Sequence, residues 1–194
     1  MPVVFSTDHR LHVPDGEIWV GVRIVGTELP ARGEAIAAAV TEAGHPLVEP
    51  RAIDDADLER VHTPELVDFL RTAWARWSRS DYPRDPGQDR VVPYAFPLAA
   101  LTSGRPPRRP ASVGALTGMF AMDTMTLIGS GTWEAVRAAA ASALTAAELV
   151  IEGAPSSYAA VRPPGHHAGT SFYGGACYLN NAALAADRLR KWQS

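Results

Sequence analysis

The chain has 194 residues, enough for one domain with a sizeable core or for part of a larger one. Hydrophobic residues make up 46% and charged residues 20%, a globular composition, and the net charge of -3 predicts no non-specific attraction to nucleic acid or to an anionic membrane. The longest apolar stretches are broken by Arg137, Glu148 or Glu152, which excludes a membrane-spanning segment.

The first residues, Met1-Pro2-Val3-Val4-Phe5-Ser6, lack the basic start and long apolar run of a signal peptide, and Val3 to Ser6 reads as a buried strand. A cytoplasmic location is expected. Asp8 to Pro30 reads as loop. Ala31 to Gly44 carries Ala35, Ile36, Ala39 and Val40 at helical spacing and ends on a glycine. Asp54, Asp55 and Asp57 place acidic groups at the positive end of a short helix reaching Leu58. Thr63-Pro64-Glu65 offers an N-cap residue and a first-turn proline to a helix through Leu66, Phe69, Leu70 and Trp74.

From Tyr82 to Ala111 the proline density predicts no regular element, and a long irregular stretch of this kind reads as a functional loop or a surface excursion. Ser112 to Thr126 is expected to be helical. A longer helix opens at Gly131-Thr132-Trp133-Glu134, aligns Trp133, Val136, Ala140, Leu144, Ala147 and Ile151 on one face, and stops at Gly153. A strand over 157–161, a loop, and a helix over 178–192 follow. Helix, strand, loop and helix in that order predict a parallel α/β sheet.

The loop after that strand is the chemically richest segment. Arg162-Pro163-Pro164-Gly165-His166-His167-Ala168-Gly169 places two adjacent histidines where parallel sheets bind ligands, beyond the carboxyl end of a strand. Imidazole titrates nearest neutrality, so the pair suits general acid–base work, one ring moving a proton and the other holding charge. A polar patch on a turn remains the alternative reading. Two adjacent ligands cannot fill a zinc site, which needs at least three protein donors. His9, His12, His45 and His62 read as structural or solvent-facing. Cys177, the only cysteine, excludes an internal disulfide and a cysteine-based zinc cage; it reads as a nucleophile or, better, as a small buried apolar residue.

Together with Gly174-Gly175 and Cys177-Tyr178-Leu179-Asn180-Asn181, the histidine loop resembles the signature of the histone deacetylase superfamily, and within it the bacterial acetylpolyamine amidohydrolases. Weaker matches at Val4-Phe5-Ser6, Val61-His62, Leu66–Leu70, Thr72-Ala73-Trp74 and Gly131–Ala135 extend the resemblance along the whole chain. The resemblance implies an arginase/deacetylase-like three-layer α/β fold around a parallel sheet, here as the N-terminal portion, residues 1–194, of a single domain. It implies zinc-dependent removal of acetyl or similar acyl groups from amines such as acetylpolyamines or acetyl-lysine. His167 would be the general base and His166 the electrostatic helper. Gly175 would line the acyl tunnel and accept the substrate amide hydrogen, with Ala176 at a position usually aromatic and Phe172 or Tyr173 as substitute walls. The segment at about 82–111 would be the insertion linked to homodimerisation and a narrowed entrance.

The family's zinc ligands, an Asp and a His of an Asp-Val-Asp-x-His-His-Gly run and a later Asp, do not occur among these residues. Zinc is therefore expected for the full family domain and none for this chain alone, which is expected to be inactive. The rival reading is a metal-free binding or assembly module derived from the same fold. Arg105, Arg108 and Arg109, with no acidic residue between Asp89 and Asp123, weigh the substrate class toward N-acetyl amides in general.

Overall fold

Val3, Val4 and Phe5 form the uninterrupted apolar run of a strand covered on both faces. In the computed structural model, which describes residues 1–14, 16–80 and 90–192, that run builds the centre of the sheet. Strand β1 (Val3–Val4) lies between β4 (Leu47–Val48) and β5 (Tyr158–Ala159) and is parallel to both. Val3 pairs with Leu47 and Tyr158, Val4 with Val48 and Ala159, and both valines are fully buried. Val3 and Phe5 pack with Ala37 and Val40 of α1 (Pro30–Glu42), while α5 (Thr132–Ile151) packs against β1 and β5. The parallel α/β architecture expected from the sequence is present.

The helices follow their local signals. Helix α1 starts on Pro30, and its exit passes through Gly44 at φ +76°. Helix α2 (Asp55–Leu58) has a reciprocal capping box between Asp54 and Asp57. Thr63 caps α3 (Pro64–Ser78), which buries Leu66, Val67, Phe69, Leu70, Ala73 and Trp77. At 20 residues α5 is about 30 Å long, and its many alanines allow close packing against α6 (Asn181–Trp192). Arg188 on α6 reaches Glu148 of α5 at 2.6 Å and Asp57 of α2 at 2.5 Å, tying three helices together.

Several segments differ from expectation, each for a local reason. The described residues of 7–30 include a 3-10 turn (Thr7–Leu11) and an antiparallel hairpin of β2 (Glu17–Trp19) and β3 (Val22–Ile24). Its turn residues, Val20 and Gly21, both have positive φ, and a valine there hides the usual hairpin signal. Strand β4 was not expected; it is two residues long and lies among prolines at the sheet edge. Helix α4 covers only Val113–Phe120, because the Asp123 carboxylate binds the Met125 and Thr126 amides and diverts the chain into a turn. Helix α6 starts at Asn181, with Asn180 accepting the Ala183 amide at 3.0 Å. Of the proline-rich stretch, residues 82–89 lie outside the described residues. The described part holds a 3-10 turn at Ala99–Thr102 and one bridge from Val91 to Ile128.

The larger core joins α3, α4 and α5 to the segment after the histidine loop. Its spine is a file of rings: Phe120 on Phe69 at 4.8 Å, Phe69 on Tyr173 at 6.0 Å, and Tyr173 on Tyr178 at 5.8 Å. In α4, Gly118 lets residues 94–96 lie against the helix. Tyr94 donates to the Gly114 carbonyl, and a Cβ on Gly118 would stand 1.7 Å from the Ala95 oxygen. Because backbone cannot yield as a side-chain tip can, Gly118→Ala is expected to cost about 1–3 kcal/mol. Urea denaturation reads this directly, and an unchanged midpoint would contradict the packing.

Candidate active site

The histidine loop leaves β5 through Arg162, whose guanidinium is buried. It donates to three main-chain carbonyls, those of His9 (2.6 Å), His12 (2.7 Å) and Glu28 (2.6 Å), and its Nε lies 3.5 Å from the Glu28 carboxylate. Burial pushes the Arg162 pKa down and the Glu28 pKa up, and the attraction between the two opposes both shifts only in part. One side chain thereby joins the N-terminal segment to the start of the loop.

A second fastener is His62. Its Nδ1–H donates to the Gly169 carbonyl at 2.9 Å, and its Nε2 accepts the Asn180 amide at 2.9 Å. These partners require the neutral Nδ1–H tautomer. Asn180 adds a bond from Nδ2 to the Ala168 carbonyl at 2.9 Å. Close approach also fixes Gly165, where a Cβ would lie 2.1 Å from the Leu179 oxygen. The loop is thus held at both ends and in its middle.

Within this frame the His166 and His167 rings sit 4.3 Å apart, tilted by 45°. Behind His167 runs the Gly174–Ala176 turn; a Cβ on Gly175 (φ +59°) would stand 2.6 Å from the His167 ring. Ala176 is also left-handed, at φ +61°. The turn is held by a group that sequence reasoning missed. Asp123 accepts the Gly175 amide at 2.5 Å, and Thr126 accepts the Ala176 amide at 2.9 Å while donating to Asp123 at 3.1 Å. Its only sequence signal was the short Asp-x-x-Thr spacing that builds such a turn.

A cavity of about 320 Å³ opens beside His166, and Gly175, Ala176, Met125, Glu17, Glu28 and Trp19 are among its walls. His166, His167, Gly175 and Ala176 are therefore together. Phe172 stands apart from that lining, half exposed and over Gly169, while Tyr173 is fully buried in the ring file. Cys177 is fully buried, 4.0 Å from His166 Nδ1, and burial pushes its thiol pKa up, which suits a packing role over a nucleophile. Glu17 is buried at the hairpin base. Burial opposes its ionisation, but bonds from Trp19, Thr27 and Glu28 outweigh it and hold the pKa below the usual range. The hairpin is the second part of the cavity wall that sequence reasoning missed. Among the described residues no group of three or more His, Cys, Asp or Glu could hold a metal ion, so the histidine pair does not by itself fit zinc. No helix of the described residues is long and apolar enough to cross a membrane.

Residues 27–194 match the family described as the histone deacetylase domain. The chain is 37% identical over 190 residues to the acetylpolyamine amidohydrolase of Mycoplana ramosa, covering 97% of this chain and 53% of that protein. It is 38% identical over 183 residues to acetylpolyamine amidohydrolase 1 of Pseudomonas aeruginosa, covering 94% and 51% respectively. A crystal structure of acetylpolyamine aminohydrolase from Burkholderia pseudomallei superposes with a TM-score of 0.89 at 36% identity, over 98% of this chain and 53% of that one. The chain spans about half the length of the curated relatives it matches.

The buried histidines set an acid limit on stability. Burial lowers the pKa of His62 and His9, and takes His12, bonded to Thr132, down to about 3. In the unfolded chain each binds a proton near pH 6.5 while the folded chain does not, so stability falls as pH drops below about 6.5. Below about pH 4.5 the depressed carboxylates Glu34 and Asp187, each at about 2, add to the loss. His62→Phe is expected to lower stability at pH 7 and to flatten the slope between pH 7 and 5 by up to about one proton. Denaturation at stepped pH measures this, and a variant with the wild-type slope would show that His62 is not held neutral.

Proposed function

The chain belongs to the histone deacetylase family, and from that premise we propose that it carries the proton-handling part of an amidohydrolase that removes acetyl or similar acyl groups from amines. The observation that carries the reading is the His166–His167 pair, with His167 braced against the left-handed Gly175 and His166 lining the cavity. Acetylpolyamines are the favoured substrate class, since the relatives named for that activity match nearly the whole of this chain. Acetyl-lysine-like amides are the wider class.

His167 takes the proton of the water that attacks the acyl carbon. As the C–N bond breaks, that proton passes to the leaving amine nitrogen, so the base returns to its starting state. His166, with its ring 4.3 Å away, balances charge developing during the attack. The Gly175 carbonyl accepts the substrate amide hydrogen and orients the acyl group; Ala176 leaves the wall beside it wide. In a complete domain of this family a bound zinc would supply Lewis-acid polarisation of the acyl carbonyl. Its donors are not assembled among the described residues, so the share that falls to this chain is proton transfer and positioning.

Two measurements test the reading. In a chimera of residues 1–192 with the remaining half of the Burkholderia pseudomallei relative, His167→Ala is expected to slow acetate release from an acetylpolyamine by about 10²–10⁴-fold. A loss under about threefold would remove His167 from the role of base. For the 194-residue chain by itself, metal analysis is expected to find zinc well below one per chain. One tightly held zinc would show that the donor set is complete without further residues.

A further inference from the structure

The Gly175 carbonyl belongs to the same peptide group as the Ala176 amide. That amide donates to Thr126 Oγ1 at 2.9 Å, and the same hydroxyl donates to Asp123 Oδ2 at 3.1 Å. Asp123 Oδ2 also accepts the Gly175 amide at 2.5 Å, and Oδ1 accepts the Met125 and Thr126 amides at 3.0 and 2.9 Å. Thr126 is almost fully buried and Asp123 is half-buried, so bulk water does little to screen the chain of bonds. Among the described residues nothing donates to the Gly175 oxygen, although Gly175 and Ala176 line the cavity beside His166.

We infer that Asp123, acting through Thr126, is a positioning residue that sets the strength and direction of the Gly175 carbonyl as an acceptor for a ligand N–H. A carboxylate that pulls on the Thr126 proton makes the hydroxyl oxygen a better acceptor. The Ala176 N–H is then polarised, and the gain in negative charge appears at the other end of the same peptide group, on the Gly175 oxygen. The bond to the Gly175 amide meanwhile holds the left-handed turn against the His167 ring. One carboxylate thus coordinates the acceptor and the base, without touching the ligand. This role rests on the proposed amide chemistry for its substrate, but the polarisation can be seen without any ligand.

The test uses the 194-residue chain and four forms: wild type, Asp123→Asn, Thr126→Val and Thr126→Ser. The first readout is the Ala176 amide proton by NMR, with no ligand. It is expected to move upfield in Asp123→Asn, further upfield in Thr126→Val, and to stay near wild type in Thr126→Ser. The second is the binding ratio of an N-acetylated alkylamine to its O-acetyl ester isostere, which lacks the N–H. The ratio is expected to fall about three- to tenfold in Asp123→Asn and Thr126→Val, with Thr126→Ser restoring it. A role limited to structure would weaken both ligands alike and leave the ratio fixed. An Ala176 proton indifferent to Asp123→Asn and Thr126→Val overturns the inference, as does a fixed ratio in variants whose Ala176 proton has moved. Equal binding of amide and ester by the wild type, with the proton shifts as expected, supports the polarisation and refutes the proposed amide substrate instead.

Discussion

The burial of the Arg162 guanidinium is the constraint on which the rest of the structure depends. A cation taken out of water is costly unless fixed acceptors surround it. Here three carbonyls, from His9, His12 and Glu28, are brought to it from segments more than 130 residues away in sequence. The N-terminal segment can therefore adopt its path, hairpin included, only if β5 is in place to present Arg162. The reverse also holds, since the histidine loop begins at the residue that follows. Lysine, with three donors on a single nitrogen, could not span these acceptors as the planar guanidinium does.

Beyond Arg162 the histidine loop is fastened by neutral side chains and by backbone, while the Asp123 carboxylate holds the Gly174–Ala176 turn behind it. His62 bridges the loop to the segment entering α6, and Gly165 lets that segment press against the loop backbone. Tyr178 completes the seat by donating to the Leu127 carbonyl at 2.5 Å and by meeting His12 edge-on at 5.3 Å. Rigid support of this kind is what the proposed general-base chemistry requires, because a base must already face the reacting centre when a substrate arrives. Two left-handed residues in succession, Gly175 and Ala176, place backbone strain beside the histidine pair. For alanine that conformation costs on the order of 1 kcal/mol, offset here by the Thr126 bond.

The elements legible in the sequence were those governed by local chemistry. Pro64 after Thr63, the aspartates before Leu58, and the 3.6-residue spacing from Val136 to Ala147 each mark a helix without reference to the rest of the chain. Val3-Val4-Phe5 marks a buried strand in the same way. The histidine pair and its glycines were legible because they are contiguous. What escaped is set by distant partners or by competition. The hairpin turns on Val20 in a conformation that valine ordinarily avoids, and β4 is too short to show a period. Asp123 looked like part of a helix, yet its carboxylate outbids the helix for two amides. His62 is an ordinary histidine until Gly169 and Asn180 are brought to its two nitrogens. Tyr173, read from its position as a wall near the acyl group, is claimed by Phe69 and Tyr178 for the core.

Native-state hydrogen exchange on the 194-residue chain tests most directly whether the histidine loop is already locked into place. The amides of Gly175, Ala176 and Asn180 end on Asp123, Thr126 and His62, so they are expected to exchange only through large openings, with protection close to that of the α5 core. Exchange of these three amides at the fast rate of an exposed loop, while α5 remains protected, would contradict the account. The histidine pair would then lie on a loosely held segment.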